Sequence, residues 1–154
     1  MAGIDARLAE LGITIPRRSP SPAGTYVPAV ISGNHVFTAG QLPFVDGVLP
    51  VTGKVGAEVT LDDAAACART SALNALSAVA EVLGSLDRVT RIVKVTGFVA
   101  SDPGFTAQPG VLNGASEVLG AIFGDAGVHA RSAVGVAVLP LDSPVEVELT
   151  VEFA

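Results

Sequence analysis

Residues 145–152 read Val-Glu-Val-Glu-Leu-Thr-Val-Glu. Successive strand side chains point to opposite sides of a sheet, so this strict alternation describes a β-strand with one buried face. Val145, Val147, Leu149 and Val151 belong to a core; Glu146, Glu148, Thr150 and Glu152 point away from it. A second strand, 131–138, carries Ser132, Val134, Val136 and Val138 on one face and Arg131, Ala133, Gly135 and Ala137 on the other. Both valine faces are expected to meet helices. The opposite face then joins Arg131, small residues and three glutamates. Ala-Gly-Ala suits close approach of another surface, and with helices on one side the expected visitor is a second copy of the chain.

Which acid meets Arg131 depends on register. A tight turn at Leu139-Pro140 sets Glu146 diagonal to Arg131, roughly 7–8 Å away. A wide loop over 139–144 sets it opposite Ala137, about 20 Å along the strand, and a neighbouring chain's Glu146 would then have to complete the site. Both registers stay open on the sequence alone.

Upstream, residues 3–11 predict a short helix with Ile4, Leu8 and Leu11 on one face and Gly12 as its stop. Residues 13–25 hold Pro16, Pro20, Pro22 and Gly24, an irregular lead-in. Val27–Ser32 and His35–Ala39 predict a hairpin across Gly33-Asn34. A Gly/Pro-punctuated loop runs from Gly40 to about Val59. Residues 61–83 predict a long helix: Leu61, Ala65, Ala68, Ala72, Leu76, Val79 and Leu83 recur at spacings of three and four, Thr60 can cap it, and Gly84 can end it. A strand is expected at 91–99 and a helix at 108–123, with Pro109 in its first turn. The order β-β-α-β-α-β-β predicts an α+β fold: one mixed sheet with two helices packed on one face. No repeat or linker divides the chain, so 1–154 reads as one domain, with 1–25 as N-terminal helix and Pro-rich lead-in.

Composition narrows the function. The net charge is −6 and the basic residues are scattered, apart from Arg17-Arg18; a nucleic-acid surface normally concentrates positive charge. Hydrophobic residues make up 49%, dominated by Ala and Val, with 5% aromatics. Small side chains bury little area each, which favours oligomers. The single cysteine, Cys67, forms no internal disulfide and reads as core. With it, only His35 and His129 are imidazole candidates; they lie in unrelated segments, look like surface or turn residues, and suggest no metal site. No apolar run of 18 residues and no signal-peptide pattern occur, so no membrane role and a cytoplasmic location are expected. Walker A, dinucleotide-binding and Gly-x-Ser-x-Gly patterns are missing.

Three motifs then become recognisable in order. Gly24-Thr25-Tyr26 with Val27–Val30, Thr38-Ala39-Gly40-Gln41-Leu42-Pro43, and Arg131-Ser132-Ala133-Val134 followed by Leu139-Pro140 and Val145-Glu146-Val147-Glu148 resemble the signature segments of the RidA/YjgF family of imine and enamine deaminases, also called endoribonuclease L-PSP. The resemblance runs from about Tyr26 to the end. It implies a chorismate-mutase-like fold, a homotrimer with clefts between subunits, and hydrolysis of 2-aminoacrylate-type enamines or imines to 2-keto acids and ammonia, without metal or organic cofactor. By position, Arg131 matches the arginine that holds the substrate carboxylate and Glu146 the acid that positions or activates water. Tyr26, Gly40, Asn113 and the main chain at Ala133 match other cleft positions. The family's best-studied branch has Cys where Ala133 stands; a role for the backbone carbonyl survives that change and a thiol role does not. Gly135 stands where an acidic residue is commoner, and the 1–25 and 44–59 segments make this a longer branch.

An imine beside a carboxylate is already electrophilic, so an anchored carboxylate, a positioned water and a proton acceptor suffice. Arg supplies the bidentate anchor and Glu the acceptor. Plainer roles compete: Arg131 and Glu146 as ion-pair residues, Tyr26 as packing, Gly40 as a turn residue, Asn113 as an exposed helix residue. Two other functions compete as well, a non-catalytic trimer that binds small carboxylate metabolites and an endoribonuclease.

Overall fold

The computed structural model describes residues 3–154. Three helices, α1 (Ile4–Leu11), α2 (Leu61–Leu83) and α3 (Gln108–Phe123), and five strands, β1 (Ala29–Ser32), β2 (His35–Thr38), β3 (Val89–Ala100), β4 (Ala130–Val136) and β5 (Val145–Phe153), follow in chain order. The strands form one mixed sheet in the order β1-β2-β5-β3-β4. Only β3 and β4 run parallel, and α3 makes the crossover between them.

The long helix has the predicted limits for the predicted reasons. Thr60 accepts a hydrogen bond from the Asp63 N–H at 3.1 Å, Asp62 and Asp63 sit at the positive end of the helix dipole, and Gly84 leaves through the left-handed region at φ 80°. The hairpin also forms: Ser32 pairs with His35 across Gly33, which takes φ 60°. Gly12 ends α1 at φ 66°. This helix docks through Arg7 Nε on the Ala121 carbonyl (3.0 Å) and its first N–H, at Ile4, on Asp87 (2.6 Å).

The core lies between the sheet and the pair α2 and α3. Ile92, Val95 and Val99 of β3 and Val145, Val147, Leu149 and Val151 of β5 are buried against Leu76, Val79, Val111, Leu112 and Leu119 of the helices. The middle of α2 is buried all round, Ser71 to Val79, because the lead-in and the 42–44 segment cover its outer side. Its polar residues hold those irregular segments: Ser77 donates to the Pro16 carbonyl (2.7 Å), and Asn74 Nδ2 to the carbonyls of Leu42 (3.0 Å) and Phe44 (3.1 Å). Gly114 lets the helices touch, since any side chain there would run into the Ala65 backbone.

Two expectations fail at β4. First, the final strands are not neighbours. β3 lies between them, parallel to β4 and antiparallel to β5, so neither hairpin register applies. Second, the faces of β4 are reversed. Arg131, Ala133 and Gly135 stand opposite Val95, Gly97 and Val99 on the helix side, while Val134 is 43% exposed on the helix-free side beside Phe98. Val136 shares that outer face, and Val138, 64% exposed, lies beyond the strand end. Size misled here: β4 is an edge strand that opens Val134 and Val136, beside Ser132, to the helix-free side, and α3 covers Arg131 and Ala133. The β5 assignment holds, with its valines and Leu149 inside and Glu146, Glu148, Thr150 and Glu152 outside.

Candidate active site

Arg131 is placed by the β3-α3-β4 crossover, which lays α3 across the helix-side face of β4. Pro109, Asn113 and Ser116 recur at helical spacing on one face of α3. The guanidinium spans that face. Its Nη1 donates to Asn113 Oδ1 (3.0 Å) and Ser116 Oγ (3.0 Å), and its Nη2 to the Pro109 carbonyl (3.2 Å). A guanidinium has five N–H groups. Three are taken among the described residues, leaving one on Nε and one on adjacent Nη2, enough for a carboxylate. Ala133 follows on the same strand face, half-buried. Arg131 therefore pairs with neither Glu148 nor Glu146.

Sequence reasoning missed two members of this group. Nothing in the sequence marks Ser116, and His129 reads there as a surface or turn residue. His129 is instead half-buried, with Nε2 2.9 Å from Ser116 Oγ and Nδ1 2.6 Å from the Gly127 carbonyl. The available signal was spacing: Ser116 lies one turn beyond Asn113, and His129 two residues before Arg131. It becomes readable only once α3 is known to cross β4.

Glu146, Gly40 and Tyr26 form a separate group. Past β2 the chain continues along β5, where Gln41 and Val147 exchange backbone hydrogen bonds of 2.8 and 3.0 Å. The Glu146 carboxylate fills the space over Gly40 where a side chain would sit. Burial, then the negative charge of Glu148, pushes the Glu146 carboxyl above its ordinary value. Tyr26 is 51% exposed, and its hydroxyl accepts from the Ala23 N–H at 3.2 Å. It shares with Gly40 a small hollow of about 50 Å³, walled by Pro20, Pro28, Leu42 and Leu141.

The six candidates thus fall into two separate groups. Glu146 stands opposite Phe98, which stands opposite Val134, so it lies two strands across and three residues along from Arg131, on the other face. Strand spacing and rise set their backbones about 14 Å apart.

A larger hollow of about 570 Å³ lies elsewhere, between the lead-in and α2, lined by Pro16, Phe44, Leu73 and Asn74 among others. Its only charged residues are Arg18 and Asp46, and Asn74 already serves two carbonyls. Charged and polar side chains converge instead around Arg131. Cys67 is buried, and burial, aided by Asp63, pushes its thiol up to about 11. Among the described residues no three His, Cys, Asp or Glu side chains group so as to hold a metal ion, and no helix is long and apolar enough to cross a membrane.

A family model described as YjgF/chorismate mutase-like, under an endoribonuclease label, matches residues 5–153. Protein TCP17 of Trypanosoma cruzi is 45% identical over 150 residues, 97% of this chain and 93% of that one. A 2-iminobutanoate/2-iminopropanoate deaminase of Escherichia coli K12 is 39% identical over 130 residues, 84% of this chain and 88% of that one. The crystal structure of Atu1372, a protein of unknown function from Agrobacterium tumefaciens, superposes with a TM-score of 0.90 at 43% identity, covering 98% of this chain and 92% of that one.

Proposed function

The chain belongs to the YjgF/chorismate mutase-like family, and on that premise we propose that it hydrolyses 2-aminoacrylate-type enamines and imines to 2-keto acids and ammonia, in clefts between the subunits of a homotrimer. The observation that carries this reading is the held guanidinium of Arg131, with two N–H groups left for a ligand carboxylate.

The chemistry asks little more. The enamine takes a proton at its β-carbon, loses one from nitrogen and becomes the imine. With Arg131 gripping its carboxylate and Asn113 and the Ala133 carbonyl beside it, the imine carbon is presented to one water. Glu146 takes a proton from that water as its oxygen bonds to the carbon, and the imine nitrogen gains a proton. Glu146 returns its proton to the nitrogen of the resulting carbinolamine, the hydroxyl gives up its proton, the C–N bond breaks with its electron pair leaving on nitrogen, and ammonia and the keto acid depart. The raised Glu146 carboxyl is a stronger base once ionised than an exposed glutamate. Tyr26 and Gly40 wall the Glu146 side.

One chain holds these groups apart, so the reading requires Glu146 of one subunit to face Arg131 of the next. Support for self-association is the helix-free face, where Val30 (50% exposed), Phe37 (44%) and Val134 (43%) lie with Phe98, half-buried. A monomer has no use for that much open apolar sheet. The endoribonuclease reading finds no concentration of positive charge in a chain of net charge −6.

The test is ammonia release from 2-aminoacrylate generated in situ by a serine-dehydrating enzyme. The purified protein should accelerate release, and Arg131→Ala should abolish the acceleration. No acceleration on any 2-imino acid would defeat the reading, and oxo-acid binding without turnover would favour a metabolite-binding trimer.

A further inference from the structure

The group behind Arg131 is a chain of hydrogen bonds whose direction is set at both ends. At one end the Gly127 carbonyl can only accept, so His129 carries its proton on Nδ1, 2.6 Å away. In the neutral ring Nε2 is then bare, and it accepts from the Ser116 hydroxyl at 2.9 Å. At the other end the guanidinium can only donate. Ser116 Oγ, its proton spent on His129, receives Nη1–H of Arg131 at 3.0 Å. The second Nη1–H goes to Asn113 Oδ1 at 3.0 Å. Both protons of Nη1 are therefore committed, and the guanidinium cannot turn about its Nε–Cζ bond without breaking two bonds.

We infer that His129 is a positioning residue: acting through Ser116, it locks the guanidinium of Arg131 so that the Nε and Nη2 edge, and not Nη1, meets the ligand carboxylate. This deepens the deaminase reading and rests on it for the identity of the ligand. Without the lock, Nη1 competes for the carboxylate end-on, the ligand swings relative to the attacking water, and docking weakens before chemistry does.

Two amides separate this role from mere packing. In His129→Gln the side-chain oxygen reaches the position of Nε2 and can accept from Ser116. In His129→Asn the amide reaches only the position of Nδ1; it keeps the bond to Gly127 and loses the bond to Ser116. Ser116→Ala removes the relay itself, and Ser116→Thr restores a hydroxyl.

The experiment measures 2-oxobutanoate binding by calorimetry, KM and kcat on imine generated in situ, and Arg131 side-chain ¹⁵N–¹H resonances in the ligand-free protein. His129→Asn and Ser116→Ala should raise Kd and KM up to about 10-fold, the size of one lost hydrogen bond, with kcat changed less than about twofold. His129→Gln and Ser116→Thr should recover most of the loss. The Nη1 protons should be separate and slowly averaged in the wild type and in His129→Gln, and averaged in Ser116→Ala. Equal impairment of His129→Gln and His129→Asn, or wild-type affinity in Ser116→Ala, would overturn the inference. So would freely averaged Nη1 protons in the wild type, whatever the activity. A protein with locked Nη1 protons that neither binds nor turns over oxo- or imino-acids would defeat the deaminase reading and leave the lock standing.

Discussion

Arg131 and Glu146 lie on opposite faces of one sheet, with β3 between their strands and Glu146 in the row of Phe98 and Val134, three residues along from Arg131. The guanidinium is bound to α3, and the carboxylate sits over Gly40 on the helix-free side. Arg131 is held in place by three hydrogen bonds, and neither group can reach the other within one subunit.

The pH behaviour of Glu146 follows from its surroundings. Burial, then Glu148, raises its carboxyl in the folded state, so its ionisation opposes folding. The stability linked to this group is fully present below the ordinary carboxylate range and is lost as pH rises through the raised folded value. Glu146→Gln should therefore melt higher than the wild type at pH 7, and the advantage should vanish in acid below the ordinary glutamate value. Thermal melts at both pH values check this. The same variant should lack turnover.

Gly40→Ala should disable the site without unfolding the protein. A methyl group there meets the Glu146 carboxylate, the free end of a side chain able to swing away. Displacing the base by about 1 Å costs on the order of 100-fold in rate. Steady-state kinetics should show that loss in kcat, while the melting temperature stays close to that of the wild type.

Two glycines of α3 should respond in opposite directions. Gly114→Ala drives a methyl into the Ala65 backbone at the contact of α2 and α3, and should destabilise by about 1–3 kcal/mol. A methyl at Gly120 meets nothing within 4 Å, so Gly120→Ala should stabilise by about 0.5–1 kcal/mol through lower unfolded-state entropy. Urea unfolding of both variants measures the difference.

Cys67 should resist thiol reagents at neutral pH in the native state, since its thiol is buried and pushed up to about 11. Labelling should appear only with denaturant. Rapid labelling of the native protein would contradict the burial of this part of α2.

Local signals carried much of the fold. The helix at 61–83 was legible from its spacing, cap and terminal glycine, and β5 from its alternation, because both report burial on one element. β4 was not legible in the same way. Its valines imply a covered face, yet the cover within the chain lies over Arg131 and Ala133 instead. The parallel insertion of β3 is a long-range pairing with no turn motif to announce it. The same limit hid Ser116 and His129: their role depends on which helix crosses which strand. Arg131, Glu146, Tyr26, Gly40, Asn113 and Ala133 could be named only because short motifs resemble a family, and their division into two groups emerges from the sheet order.

The most direct measurement mixes two inactive proteins. Arg131→Ala and Glu146→Gln chains are unfolded together at equal concentration, refolded, and assayed for ammonia release. If each cleft takes its guanidinium from one subunit and its carboxylate from the next, random assembly should restore about a quarter of wild-type activity. Mixed oligomers that form and remain as inactive as either parent would contradict a site shared between chains.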